Sequence, residues 1–316
     1  MAAFDLADLK IAIAYVLVDI LSIVLRHSVL HQKKKIYRLM IILNLHKPQL
    51  KSKGRRIYSR VIHFIILIII ILPFLLAALF VYLSIEEDDM VEFYTFGHYI
   101  ADETSRIFIC YIGSYMYYVV YMAYPCFVTL SMCVLVFRCS LYLQQFNSKL
   151  KNIQLKAFHV KRFDIIGDYN MMLETVRLLK DSLSSPLFIS LISSFLLMYV
   201  TLYNILKEDI PTFYMVELIC NTISAALILA VLSIFSYRFS HNFSEVSATA
   251  GMLLTNLNQS NLLHLCDKRT LFFIKRIEKQ RTVHLSACGM LEIKRSFLFT
   301  AFGTLFTYGL LIVNLN

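Results

Sequence analysis

The hydrophobic residues of this chain lie in long uninterrupted blocks, and the segments between the blocks hold almost all of the charge. A helix needs about 20 apolar residues to cross the hydrocarbon core of a bilayer. Five blocks meet that length, at residues 61–85, 107–137, 186–206, 210–237 and 296–316. A sixth block, residues 9–25, is shorter and contains Lys10 and Asp19. Because a lipid-exposed backbone must satisfy its polar groups internally, the pattern predicts an all-α, polytopic membrane bundle of at least six transmembrane helices.

Two of the polar segments carry apolar stripes with helical spacing. In the first, apolar residues recur every three, four or seven positions, at Phe163, Ile166, Tyr169, Leu173, Val176 and Leu183; Val246, Leu253 and Leu257 repeat the pattern later. Such stripes predict amphipathic helices that pack together outside the membrane. We therefore expect a transmembrane bundle with cytosolic helical loops over residues 1–241. Residues 242–316 would form a cytosolic anchor segment followed by the last helix.

The charged residues fix an expected orientation. Hydrophobic residues make up 58% of the 316 positions, charged residues 16%, and the net charge is +10; the mean hydropathy is +0.65. Of the 31 Lys and Arg residues, 28 lie in segments 26–60, 138–185 and 238–295. The alternate segments are acidic, with Glu86, Glu87, Asp88, Asp89, Glu92, Asp102 and Glu103 in one and Glu208 and Asp209 in the other. Since basic loops stay in the cytoplasm, both termini are expected outside.

Other chemistries find little support in the sequence. The seven cysteines show no paired metal-ligand spacing and the nine histidines no catalytic motif, and no phosphate-binding loop or nucleophile elbow is present. We therefore expect no enzyme activity, cofactor, metal site or nucleic-acid partner. Two glycosylation sequons begin at Asn242 and Asn258. Both fall in a segment predicted to be cytosolic, where they would carry no glycan.

The last forty residues contain a recognisable pattern. Ala287-Cys288-Gly289 is followed by apolar residues, and near the end of the chain Thr307-Tyr308 is followed by five largely apolar residues, Asn314 and Leu315. This resembles the signature of arthropod gustatory receptors, relatives of the insect odorant receptors. The family ends in Gln-Phe where this chain has Asn-Leu: Asn keeps the amide on a shorter side chain, and Leu keeps the apolar bulk.

The resemblance implies a seven-helix, ligand-gated cation channel of the insect chemoreceptor type. The chain aligns with the second to seventh helices of that family, so the first helix is expected to be missing. An incomplete sequence is favoured over a shortened protein. In the family four subunits surround one pore lined by the end of the last helix, here residues 296–316. Carried onto this chain, the gate is Leu311, the ring of amides beside it is Asn314, and Leu310 and Leu315 are their pore neighbours.

The family also implies a ligand pocket among the outer halves of the other helices. The aromatic candidates there are Tyr82, Tyr111, Tyr115 and Tyr203, and the acidic candidate is Glu217 inside a predicted span. Glu217 either serves the ligand or extends to water at the nearby helix end. Tyrosine and glutamate together favour a polar tastant such as a sugar, although hydroxyls serve aromatic bitter compounds as well.

Three other functions are weighed against a homo- or heterotetrameric gustatory channel in the plasma membrane. An odorant-receptor channel shares its fold and mechanism and is the closest alternative. A transporter would show internal repeats and helices broken near the midplane, whereas only Pro73 and Pro125 interrupt spans here. A G-protein-coupled receptor would have a cytosolic C-terminus and motifs that this chain lacks, so no G-protein partner is expected.

Overall fold

The computed structural model describes residues 6–45, 52–84, 102–152, 158–205, 212–259, 268–280, 283–293 and 295–315. In chain order the elements are α1 (Leu6–His31), α2 (Lys33–Leu45), α3 (Ser52–Ser84), α4 (Glu103–Tyr118), a π-helical turn (Val119–Ala123), α5 (Tyr124–Lys151), α6 (Phe158–Ile205), α7 (Thr212–Gln259), α8 (Lys268–Glu278), β1 (Ser286–Ala287), β2 (Leu291–Glu292) and α9 (Arg295–Leu315). Over these described residues the chain is thus a helical bundle with one two-residue strand pair, and the predicted all-α membrane fold is confirmed.

Four helices are long and apolar enough to cross a membrane, among the residues whose side chains are described. They cover Tyr58–Leu83, Glu103–Lys151, Ile165–Ile205 and Met215–Leu257. The last three are each over forty residues, roughly 60 Å at 1.5 Å per residue, which is twice the hydrocarbon thickness. Each must therefore continue well beyond the membrane.

The extended ends of α6 and α7 contain the predicted apolar stripes. Tyr169, Val176 and Leu183 on α6 are at most 4% exposed, and Val246 and Leu257 on α7 are at most 2% exposed. These stripe residues are thus buried against neighbouring helices, Ile166, Leu173 and Leu253 are partly buried, and the side chain of Phe163 lies outside the described residues. The predicted boundary after residue 241 falls within α7, and the division into two units stays a prediction.

Helices α5 and α7 run parallel and in register. The Cys126 thiol contacts the Ser224 hydroxyl at 3.4 Å, Gln144 donates to Asn242 at 3.3 Å, and Asn147 donates to Glu245 at 3.3 Å. Each of these pairs is separated by 98 positions. A constant offset over about 30 Å means that the same helix faces stay in contact from the membrane into the extension.

Buried polar side chains hold this inner part together. Asn242 is 4% exposed and its amide donates to both the Ser140 hydroxyl and the Ser140 carbonyl. Tyr169 donates to Gln280, and its ring packs edge-on against Phe273 of α8. Helix α8 is therefore attached to α6 by both apolar and polar contacts.

The start of α4 is defined by an N-cap. The Asp102 carboxylate accepts from the Ser105 hydroxyl at 2.5 Å and from the Ser105 backbone N–H at 2.9 Å. These two hydrogen bonds, the hydroxyl's first, lower the pKa of the exposed Asp102 side chain below its ordinary value. Capping by Asp fits this position because the first backbone N–H groups of a helix have no partner within it.

Candidate functional site

The π-helical turn is the local feature that organises the centre of the bundle. At Tyr124 the backbone N–H bonds to the carbonyl of Val119, five residues earlier, and Pro125 follows at once. Proline has no N–H and its ring crowds the preceding turn, which favours a local change of hydrogen-bond register. Single π turns of this kind occur frequently at functional sites.

Two tyrosines flank the start of this turn, and the hydroxyl of each lies beside an acid on another helix. The Tyr121 hydroxyl donates to Asp19 of α1. The Tyr117 hydroxyl lies beside the Glu217 side chain of α7 and accepts from the Asn221 amide at 3.2 Å. The two tyrosine rings lie 4.7 Å apart between centroids. We call these five residues the tyrosine–carboxylate cluster.

The cluster places two acids of apolar helices beside tyrosine hydroxyls: Glu217 is partly buried, whereas Asp19 is exposed. A carboxylate within apolar surroundings must be hydrogen-bonded or neutralised, and each acid here has a tyrosine hydroxyl. The Asn221 side chain is 2% exposed, and its carbonyl oxygen makes no hydrogen bond within the described part of the chain. The cluster therefore links α1, α4 and α7. Its Asn221 side-chain oxygen is a buried acceptor without a hydrogen bond among the described residues.

The residues predicted to form the ligand pocket fall at different distances from this cluster. Glu217 belongs to it. Tyr111 and Tyr115 pack with Tyr117 against a small buried core formed by α3 and α4, and the Tyr115 ring lies 4.4 Å from that of Phe74. Tyr203 is partly buried on α6. Tyr82 is 76% exposed on α3.

Sequence reasoning did not select Asp19, Tyr117, Tyr121 or Asn221. A signal was present for Asp19, which is an acid in the middle of an apolar block. The two tyrosines are four positions apart in a tyrosine-rich segment, and nothing in the sequence separates them from their neighbours. Only their partners on α1 and α7 distinguish these two tyrosines from the neighbouring ones.

An apolar cavity of about 520 Å³ begins at the π turn. Its walls come from α3 between Ile65 and Leu76, from the π turn and α5 between Met122 and Leu130, and from α7 between Cys220 and Val231. The lining includes the hydroxyls of Thr129 and Ser224 but no charged side chain. We call this space the apolar cavity.

The Ala287-Cys288-Gly289 motif forms a β-hairpin, which the sequence analysis did not predict. Ser286 pairs with Glu292 and Ala287 with Leu291, and Ala287 is fully buried. Cys288 and Gly289 have φ angles of 51° and 71°, in the left-handed region that favours glycine. The turn therefore accounts for Gly289, and burial in the hairpin accounts for the small residue Ala287.

The hairpin is attached to both α6 and α7 directly before the last helix. The Cys288 backbone N–H donates to the carbonyl of Ser184 on α6 at 3.3 Å. The Ser236 hydroxyl of α7 donates to the carbonyl of Ile293 at 2.8 Å. A displacement of α7 would thus be transmitted to the residue that lies two positions before α9.

Helix α9 contains the predicted pore residues. Leu310, Leu311, Asn314 and Leu315 lie in its last turns, as does Tyr308, and their side chains are outside the described set. Thr307 donates to the carbonyl of Gly303 at 2.8 Å. Ala301 and Leu305 are buried, whereas Phe299 and Phe306 are 75% and 69% exposed. One face of α9 thus packs on the bundle and the other is open.

Comparison with known proteins identifies relatives of this arrangement. The sequence model of the 7tm chemosensory receptor family matches residues 11–314. The fold is similar to that of the insect olfactory receptor OR5 from Machilis hrabei, with a TM-score of 0.68 and 13% identity over 99% of this chain and 83% of that one. The structure of OR5 in complex with eugenol gives a TM-score of 0.57 and 15% identity, with 98% and 88% covered. No curated protein sequence matches the chain.

Proposed function

The chain belongs to the 7tm chemosensory receptor family, and we propose that it is a gustatory-type subunit of a non-selective cation channel opened by a small-molecule tastant. The observation that carries the proposal is the family match over residues 11–314. The chain is accordingly a multi-pass membrane protein, and its family is one of receptors rather than enzymes.

The gustatory type is favoured by the Ala287-Cys288-Gly289 and Thr307-Tyr308 motifs. An odorant-type channel subunit is the second candidate, supported by the fold shared with olfactory receptor OR5. OR5 has been solved with eugenol, a small molecule, and a small-molecule ligand is proposed here too. A transporter fits less well, because α3 continues through Pro73 without a break, and at Pro125 the chain stays helical through a single π turn.

In this proposal the end of α9 lines a pore enclosed by four subunits, identical or mixed. Leu311, with Leu310, forms an apolar ring that blocks hydrated ions when it is narrow enough to exclude water. Asn314 supplies amide oxygens that replace part of a cation's hydration shell, and Leu315 narrows the outer end. The subunit sits in the plasma membrane with its C-terminus outside and its basic loops in the cytosol.

Ligand binding opens the pore through α7. A ligand that contacts the outer part of the bundle near Glu217, Tyr111 and Tyr115 shifts α7 relative to α4. The Ser236–Ile293 hydrogen bond then transfers the shift to α9 and widens the ring at Leu311. Sodium, potassium and some calcium pass inward without a G protein.

The test is expression in cultured cells and whole-cell recording with sugars, bitter compounds and volatile aromatics. Currents evoked by tastants support the gustatory type, and currents evoked only by volatiles support the odorant type. Leu311→Ser should produce a standing leak, whereas Leu79→Ser, at a leucine 41% exposed on α3, should not. Surface-expressed receptor without any ligand-evoked current would refute the channel function.

The orientation has its own test. A tag fused after Asn316 should bind antibody on intact cells. Staining that appears only after permeabilisation would place the C-terminus inside and rule out this pore.

A further inference from the structure

We propose that the cytosolic ends of α3, α5 and α7 bind the headgroup of an anionic phospholipid that carries a phosphomonoester, as the phosphoinositides do. The side chains that hold it are Tyr58, Arg138 and Arg238, which we call the arginine site. The inference goes beyond the proposed receptor function. It takes from that proposal only the orientation that turns this end of the helices toward the cytosolic leaflet.

Three apolar segments end at one level, and each has a residue of the arginine site at its end. The span of α3 begins at Tyr58, while the apolar blocks of α5 and α7 end directly before Arg138 and Arg238. In the constant register of α5 on α7, Arg238 lies only two positions beyond Arg138, which is about 3 Å along the helix axis. Both guanidinium groups therefore lie where the hydrocarbon region gives way to lipid headgroups.

The two arginines converge on one aromatic pair. The Tyr58 ring stacks on the Phe137 ring with 4.3 Å between centroids. The Arg238 guanidinium lies over the same Phe137 ring, 5.1 Å from its centroid, and Arg138 follows Phe137 in the chain. Both guanidinium groups act electrostatically on the Tyr58 hydroxyl. A phosphate beside that hydroxyl would thus meet two positive charges and one further donor.

The positive charge of the site has no counter-ion within the described residues. Arg138 donates to the side-chain oxygen of Asn44 at 2.8 Å, which is a neutral acceptor. Neither Arg138 nor Arg238 takes part in an ion pair in the described part of the chain. No Asp or Glu occurs in the three stretches of sequence that contain the site, 20–85, 104–163 and 218–244. An anionic headgroup would supply the missing negative charge.

The chemistry of the site favours a phosphomonoester over other headgroups. A guanidinium group presents a planar fork that matches two phosphate oxygens. A phosphomonoester carries nearly two negative charges, which balances two arginines, whereas phosphatidylcholine also brings a cation that the arginines repel. Basic residues directly cytosolic of a span are typical of proteins that recognise phosphoinositides and other anionic lipids.

A lipid bound here would restrain α7 close to its connection with the last helix. Arg238 lies two positions after Ser236, whose hydroxyl donates to the carbonyl of Ile293 at 2.8 Å. The neighbouring part of α3 is open, with Phe64 63% exposed, so a headgroup that bridges Tyr58 and Arg238 would tie α3 to α7 at this level. In a channel of the proposed kind, we expect such a lipid to change the ease of opening.

The test measures binding of a fluorescent, short-chain phosphatidylinositol bisphosphate to the purified receptor in detergent by fluorescence anisotropy. Arg138→Gln and Arg238→Gln should each weaken binding about tenfold or more, because each removes a charge-assisted hydrogen-bond donor. Arg276→Gln removes the same charge from an exposed side chain of α8. It should leave the affinity within about twofold, because salt screens a distant surface charge. Equal losses for all three variants would show diffuse attraction and overturn the site.

Two conservative changes separate the shape of the site from its charge. Arg138→Lys combined with Arg238→Lys keeps both charges but loses the planar forks, and should weaken binding about fivefold or more. Wild-type affinity in this double variant would overturn the proposed recognition. Tyr58→Phe keeps the ring on Phe137 and should weaken binding about three- to tenfold, as expected for one lost hydrogen bond. An unchanged affinity would overturn the assignment of the Tyr58 hydroxyl.

Competition on the wild-type receptor tests the ligand class without any variant that has to fold. Unlabelled phosphatidylinositol bisphosphate and phosphatidic acid should displace the probe, phosphatidylserine should do so more weakly, and phosphatidylcholine should not. Soluble inositol trisphosphate that competes as well as the lipid would indicate a site for a free anion and overturn the lipid assignment.

Lipid binding and channel function fail independently. Binding that requires Arg138 and Arg238 in a receptor that passes no current would refute the channel and leave the arginine site standing. Ligand-evoked currents in a receptor that binds no anionic lipid would refute the site and leave the channel standing.

Discussion

Replacing Gly289 by alanine tests whether the hairpin turn, rather than the sequence motif itself, requires glycine. Gly289 has a φ of +71°, and a Cβ added there would meet nothing within 4 Å. The substitution therefore causes no clash, and its cost is the backbone cost of placing an L-residue in the left-handed region. That cost is about 1–2 kcal/mol.

Gly167 provides the matched control. It lies on an exposed face of α6, and a Cβ there would also meet nothing within 4 Å. Its backbone is helical, so alanine should stabilise the helix by about 0.5–1 kcal/mol. Both substitutions thus add a methyl group in open space, but Gly289→Ala is expected to lower the free energy of unfolding and Gly167→Ala to raise it.

The assay is the apparent Tm of the tagged receptor in detergent, which is measured by fluorescence-detected size exclusion after heating. For a chain of this length 1 kcal/mol corresponds to roughly 1–2 °C. We expect Gly289→Ala to melt about 2 °C below wild type and Gly167→Ala about 1 °C above it. A Gly289→Ala receptor that melts at or above the wild-type temperature would refute the left-handed turn and the reasoning built on it.

Three further predictions concern single contacts. Tyr121→Phe removes the hydroxyl bonded to Asp19, an exposed residue, and should cost about 0.5–1.5 kcal/mol; a lower Tm, partly restored by adding Asp19→Asn, would show it, and an unchanged Tm would contradict it. Because hydrogen bonds lower the pKa of Asp102 from 3.8, its capping stabilises the fold above pH 3.8 and is lost as pH falls below it. Asp102→Ala should therefore melt about 1 °C or less below wild type. This difference in Tm should be constant from about pH 5 to 8 and should shrink at lower pH. Asn242 lies in the part of α7 that the proposed orientation places in the cytosol and should carry no glycan; a shift on glycosidase treatment that Asn242→Gln abolishes would contradict that orientation.

The sequence predicts the helices well because each apolar block has few alternatives in lipid. A long uncharged segment can satisfy its backbone only as a helix, and the stripes on α6 and α7 identify the buried face of each extension. Tyr169 and Val246 are buried for that reason.

The sequence does not predict which helices pair. Cys126, Gln144 and Asn147 find partners on α7 at one fixed offset, but their apolar neighbours would pack equally well against another helix or lipid. The hairpin was missed for a different reason. Two-residue strands are too short to show alternation, and Cys288 gives no sign of its positive φ.

The π turn explains why the tyrosine–carboxylate cluster and the apolar cavity lie side by side. Consecutive α-helical residues are rotated by about 100°, so one extra residue in a turn rotates everything after it by that amount. Before the turn, Tyr117 faces Glu217 of α7; after it, Cys126 and Thr129 face the apolar cavity. A regular helix that kept Tyr117 in place would turn Cys126 away from Ser224 and break the register of α5 on α7. The polar and apolar halves of the candidate site thus depend on one local irregularity, and Pro125 is the residue in the sequence that favours it.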